Sequence, residues 1–255
     1  MSIFDVVLLA LAGLLAGAIN SVAGGGTFFT FSALLTVGLP PIVANATSSI
    51  AVGPGSIASA FAYVPLVKRY ARQFFILGVV SAGGSFVGSL TLLKFSNDAF
   101  SRLVPYLLLG ATLLFAASPY LARITRRAEP KAEPSRLNYV GGLLLQFFIA
   151  IYGGFFGAGM GIVMLASLAL TQGSDFHLNN ATKNVLAVFI QAVAVVIFVA
   201  SGVIRWLPAL IVMAACIVGG YSGVRIARRV PVKVIRGFVI AVGLLLTVYY
   251  FLRPA

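Results

Sequence analysis

Charge is what this chain lacks most. Only 9% of its 255 residues are Asp, Glu, Lys or Arg, against about 25% in a soluble domain. From Val6 to Val67, 62 positions pass without one charged residue or histidine. With 60% hydrophobic residues and a mean hydropathy of +1.06, no soluble fold of this size has enough interior for so much apolar surface, so the expected solvent is lipid. Cys216 is the one cysteine, which excludes a disulfide framework and a thiolate metal site. His177, the one histidine, lies in a polar stretch and reads as a loop residue. The five carboxylates, Asp5, Asp98, Glu129, Glu133 and Asp175, fall near segment ends or in loops. A proton relay of carboxylates inside the membrane is therefore not expected. No Ser/His/Asp grouping or metal-ligand cluster appears, so an intramembrane enzyme is not expected, and neither a cofactor nor a metal is.

What charge there is carries one sign. The formal net charge is +13, but the cations sit in short clusters between apolar segments. That placement fits topology determinants facing anionic headgroups rather than a nucleic-acid surface. The N-terminus has no cationic leader, Asp5 being its only charge, and its apolar run continues far beyond a signal peptide's. It reads as a retained first membrane segment.

The uncharged opening occurs twice. Gly24-Gly25-Gly26 is followed by Asn45-Ala46-Thr47, and Gly159-Met160-Gly161 by Asn180-Ala181-Thr182; Gly26 to Asn45 and Gly161 to Asn180 are both 19 residues. Further along, Arg69-Tyr70 matches Arg205-Trp206 and Gly83-Gly84 matches Gly219-Gly220. The polar stretch 122–138, with its prolines and mixed charges, separates the copies. The expected organisation is a first membrane repeat at 1–121, a cytoplasmic linker at 122–138 and a second repeat at 139–255.

Apolar segments run over 6–22, 27–38, 42–64, 73–93 and 103–121, then 139–156, 160–172, 181–201, 207–224 and 235–252. The second segment of each half is too short to cross a core of about 30 Å at about 1.5 Å per residue. Counting it as an element that turns back at the glycines places fourteen of the 18 cations on one side, leaving Lys94, Arg102, Arg205 and Arg253 opposite. Counting it as a continuation divides them almost evenly, against the positive-inside rule. The expected fold is thus all-α and membrane-embedded, with two inverted repeats of about five helical elements each: eight full spans and two short, glycine-broken half-helices. Both termini would lie outside the cytoplasm.

Glycine breaks let a helix bend and a ligand approach backbone. A helix that begins after a break aims free N–H groups and its positive dipole end at the cavity, which suits a small anion. The candidate binding residues are Asn20, Gly25, Gly26, Thr27, Asn45, Thr47 and Ser48 in the first half. In the second they are Gly159, Gly161, Asn180, Thr182, Lys183 and Asn184. The Asn-Ala-Thr triplets also fit N-caps of the next long helices. Lys183 would then stand in a first helical turn, where the dipole disfavours a cation and an anionic partner would compensate; a lysine snorkelling to the interface is the alternative. Gly83, Gly84 and Gly88, with Gly219, Gly220 and Gly223, read instead as close helix packing. Gly157 to Gly161 imitates part of a dinucleotide fingerprint, but no strand–helix–strand context exists for it.

In its glycine-rich openings (Gly17 to Gly26 and Gly153 to Gly161), its Ala46-Thr47 and Ala181-Thr182 pairs and its Gly-Gly pairs before basic loops, the chain resembles the sulfite exporter TauE/SafE family. The resemblance covers nearly the whole chain. It implies a bacterial inner-membrane carrier for sulfite, organosulfonates or related small anions, surrounded by lipid, without nucleic acid, as monomer or homodimer. Family members often carry Thr-Asn-Lys after the second break; here the order is Thr182-Lys183-Asn184. An anion channel, an ion-coupled uptake permease for a small organic acid and a partner-dependent assembly role remain open at this point.

Overall fold

The computed structural model describes residues 1–22, 25–61, 63–127, 136–171, 175–227 and 232–252. Gly24, the linker residues 128–135, Arg228, Arg229 and Arg253 lie outside the described residues. Every described element is an α-helix. The first half forms α1 (Ile3–Val22), α2 (Thr27–Thr36), α3 (Pro41–Phe61), α4 (Val64–Arg69), α5 (Ala71–Lys94) and α6 (Asn97–Arg127). The second forms α7 (Arg136–Phe155), α8 (Met160–Thr171), α9 (Phe176–Ala200), α10 (Trp206–Ala227) and α11 (Val232–Leu252). Each of the ten expected segments corresponds to one helix. The short α4 is additional: Pro65 starts it, and Lys68 and Arg69 sit in its last turn, where the dipole favours them. The polar stretch 122–138 is helical at both ends, since α6 runs to Arg127 and α7 begins at Arg136.

Two helix starts differ from expectation. Asn45 and Asn180 are not N-caps, because α3 and α9 begin four residues earlier. Pro41, with its fixed φ, opens α3, and the Ile42 N–H is received by Asn97 Oδ1 at 3.3 Å from the start of α6. Asp175 Oδ1 accepts the Leu178 N–H at 3.1 Å and opens α9. Lys183 is consequently the eighth residue of α9, beyond its first turn.

By length and composition, three helices are long and apolar enough to cross a membrane, over Ile3–Asn20, Ala71–Lys94 and Leu178–Ala200; shorter apolar stretches lie in α2, α7, α8, α10 and α11. With 10 and 12 residues, α2 and α8 reach only about 15 and 18 Å at about 1.5 Å per residue. Large apolar side chains point outward: Leu11, Phe75, Leu113, Phe148, Val196, Leu210 and Leu245 are each more than half exposed. Water would penalise that surface; acyl chains do not.

Packing crosses between the halves. Helix α1 lies against α10, and α7 against α5; α3 meets α9, and α6 meets α11. The first helix of each half thus packs on the third long helix of the other. Glycines make both first-helix contacts close. A Cβ at Gly17 would strike the Cys216 carbonyl and one at Gly219 the Leu14 carbonyl; one at Gly88 would strike the Ile151 carbonyl and one at Gly154 the Ser85 carbonyl. Gly84 is equally tight against Phe147, as close-packed small residues require. Gly83 and Gly220 have more room, each with its nearest neighbour at 3.8 Å from the added Cβ. The main core is continuous across the halves, uniting Leu9, Phe28, Phe31, Phe100, Phe156 and Phe198.

Candidate functional site

Both glycine breaks are built by positive-φ backbone. Gly25 has φ 93°, Gly157 75° and Gly159 76°, all in the region that side-chain-bearing residues avoid. At the first break, Asn20 Oδ1 accepts the Gly26 N–H at 2.8 Å, tying the end of α1 to the start of α2. Gly26 is pressed against the Ala16 backbone, so no side chain fits there. Thr27 begins α2, and its carbonyl accepts Thr30 Oγ1 at 3.2 Å. Thr30 in turn shares a 2.6 Å hydrogen bond with Ser48 Oγ. The second break closes differently. The Phe156 and Gly157 N–H groups return to the Tyr152 carbonyl at 2.9 and 3.1 Å, and the Tyr152 hydroxyl donates to the Ala158 carbonyl.

The breaks adjoin each other. Ile19, at the end of α1, packs on Ile162, at the start of α8. Phe31 of α2 meets Phe156 edge-on at 5.3 Å between centroids. Asn45 completes the link: its Nδ2 donates to the Phe155 carbonyl at 3.0 Å, so a buried amide of the first half satisfies the last carbonyl of α7 in the second. Asn45→Ala leaves that carbonyl without its donor. The expected cost is about 1–3 kcal/mol, seen as a lower Tm in detergent together with reduced flux.

The remaining candidates divide. Thr47 is fully buried, and its Oγ1 accepts the Arg205 N–H at 3.1 Å, serving the entry to α10 rather than a break. Asn180 Nδ2 donates to the Tyr63 hydroxyl at 2.8 Å, again across halves. Thr182 Oγ1 donates to the Leu178 carbonyl of its own helix at 2.8 Å. Gly159 packs on Ala111, where an added Cβ would lie 3.0 Å from that methyl. Asn184 is half-buried.

Lys183 stands apart from these. A Cβ on Gly161 would lie 3.5 Å from Lys183 Cδ, so the lysine stem runs along the first turn of α8. The side chain is half-buried, and among the described residues its ammonium has no hydrogen-bond acceptor and no ion-pair partner. The described carboxylates lie at helix starts, Asp98 and Asp175 exposed and Asp5 half-buried. In the first half the matching position is Ser48, which is occupied by Thr30. The start of α8 and a lysine with no counter-charge among the described residues therefore form a one-sided cationic face, to which a small anion is the complementary ligand. The sequence pattern had no signal for Tyr63, Tyr152 or the Phe155 carbonyl, the partners that hold Asn180, Ala158 and Asn45.

The chain is similar over most of its length to known membrane proteins. A family model, Sulfite exporter TauE/SafE, matches residues 9–250. A "Probable membrane transporter protein" of Haemophilus influenzae is 26% identical over 92% of this chain and 90% of its own length. "Probable membrane transporter protein ORF9" of Sinorhizobium sp is 24% identical over 95% and 91%. "Probable membrane transporter protein YfcA" of Escherichia coli K12 is 26% identical over 90% and 83%. No solved structure matches the chain significantly. Apolar helices with lipid-suited surfaces, paired helix breaks and a family match over almost the whole length make this chain a multi-pass membrane transporter that belongs to the sulfite exporter TauE/SafE family.

Proposed function

We propose that the protein exports a small sulfur-containing anion, sulfite or an organosulfonate, across the bacterial inner membrane by alternating access. The observation that carries this reading is Lys183, beside Gly161 at the start of α8 and without a partner among the described residues. The substrate would sit between the two breaks, with the α8 N-terminus and Lys183 on one side and the Asn20-capped start of α2 on the other. The two halves, 1–121 and 139–255, would be inverted repeats, with α2 and α8 as half-spans, the linker cytoplasmic and both termini periplasmic. The exchange of α1 and α7 onto α10 and α5 supports a two-fold relation between the halves. Export also suits the energetics. An anion leaving the cytoplasm moves downhill by about 2.3 kcal/mol per charge at 100 mV, so outward transport does not depend on a coupling carboxylate.

The test is the Tm of detergent-purified protein against sulfite, organosulfonates, thiosulfate, sulfate and carboxylates. A ligand that binds only the folded state raises Tm in step with its affinity. Selective stabilisation by one sulfur oxyanion, lost in Lys183→Ala, is the expected outcome. No shift with any anion, or an equal shift in the variant, would overturn the assignment. Conductance that does not saturate in liposomes would replace the carrier with a channel.

A further inference from the structure

A groove of about 560 Å³ opens at one end of the α5–α7 seam, lined by Arg69, Tyr70, Arg72, Gln73, Ile76 and Tyr139. Two guanidiniums, one amide and two phenols converge there, and among the described residues no carboxylate lines it. Arg69 and Arg72 are exposed, and the Arg69 Cζ lies 5.5 Å from the Tyr70 ring centroid, so the aromatic face holds the cation in place. Helices α5 and α7 run parallel from this end: Ser81 meets Gln146, Gly84 meets Phe147, and Gly88 meets Ile151 and Phe155. Both helices therefore begin at the groove. Beyond it, the outward surface turns apolar along each helix, at Phe75, Val79 and Phe86 on α5 and at Leu144 and Phe148 on α7. Cations and phenols at the mouth with an apolar wall beneath form the complement of an amphiphile with an anionic head, because arginine takes phosphate oxygens in a bidentate fork and phenols favour the headgroup level.

The matching seam of the other half lacks this chemistry. There α1 runs parallel to α10, with Gly13 against Val212 and Gly17 against Cys216. Arg205 and Trp206 occupy the places of Arg69 and Tyr70, but Pro208 replaces Arg72 and the half-buried Asp5 lies near the start of α1. One arginine near a carboxylate is not a phosphate fork.

We propose that the Arg69–Arg72–Tyr139 groove is a single binding site for the phosphate headgroup of an anionic phospholipid, whose acyl chains lie along the exposed faces of α5 and α7. The site is separate from the glycine breaks, and the inference does not rest on the transport reading. Its test is native mass spectrometry of the purified full-length protein, titrated with phosphatidylglycerol or phosphatidylcholine. The wild type is expected to retain phosphatidylglycerol at least tenfold more tightly than phosphatidylcholine, and R69Q/R72Q to lose that preference. R205Q, at the other seam, is expected to keep it. Equal retention by wild type and R69Q/R72Q, or loss in R205Q, would overturn the site. Inorganic phosphate that displaces the lipid at equimolar concentration would overturn the lipid assignment in favour of a free phosphate. Should R69Q/R72Q fail to fold, Y139A supplies the second variant: retention unchanged there, with wild-type preference below tenfold, would equally sink the proposal.

Discussion

Lys183→Ala is expected to lower anion flux in proteoliposomes at least tenfold while leaving Tm close to that of the wild type. Its ammonium has no partner among the described residues, so removing it breaks no hydrogen bond and no ion pair among them. What it removes is a charge beside the first turn of α8, with its stem in contact with Gly161. Hydrogen bonds to charged groups are worth about 1.5–3 kcal/mol, and each 1.4 kcal/mol is about tenfold in affinity. An anion that loses this partner should bind about ten- to a hundredfold more weakly. Lys183→Arg keeps the charge but must fit a planar fork in the same space, so intermediate flux is expected. Gly161→Ala places a methyl in ordinary contact with the lysine stem, at 3.5 Å. The fold should tolerate it, and the apparent KM should rise as the space beside the lysine narrows. Normal flux in a well-folded Lys183→Ala protein would remove the lysine from the site.

Gly17→Ala and Gly88→Ala are expected to prevent accumulation of folded protein, although each adds a single methyl. The new Cβ would overlap the Cys216 carbonyl in the first case and the Ile151 carbonyl in the second. The neighbour in both is helix backbone, so no rotamer change relieves the clash; whole helices must separate. Overpacking costs about 1–3 kcal/mol where side chains can adjust, and a carbonyl that cannot move sets a higher cost. Gly110→Ala is the internal comparison. It lies in α6 with nothing within 4 Å of the added Cβ, and helix propensity favours alanine there by about 1 kcal/mol. Monodisperse yield in detergent and Tm should separate the pair from the control. Equal behaviour of all three would contradict the observed closeness of α1 to α10 and of α5 to α7.

Helix positions were legible in the sequence because apolar runs bounded by charge or glycine leave little choice in lipid. Each of the ten runs corresponds to a helix, and Gly25–Gly26 and Gly157–Gly159 do mark breaks between them. Exact starts were less legible. Asn-Ala-Thr has the chemistry of a cap, yet Pro41 and Asp175 open those helices, and the asparagines turn inward to partners in the other half. That choice depends on where Phe155 and Tyr63 lie in space. A backbone carbonyl has no letter of its own, so nothing in the sequence marks Phe155 as the acceptor of Asn45. Lys183 was legible as an unusual cation, but for a different reason from the one that now counts: its neighbour is the first turn of α8, not its own. The pairing of α1 with α10 is hidden for a simpler reason. Gly17 and Cys216 are separated by almost 200 residues, and no local pattern reports a contact at that range.

That separation has a consequence for how the molecule is made. At about 5–20 residues per second, roughly 10–40 s pass between synthesis of Gly17 and synthesis of Cys216. Throughout that interval α1 lies in the bilayer with its small-residue stripe, Gly13 and Gly17, lacking the helix that will cover it. Helix α1 is thus among the last to dock. A chain that stalls before Trp206 would present an unfilled groove to any neighbouring helix with a narrow face, so quality control during biogenesis must discriminate at the N-terminal helix rather than at the newest one.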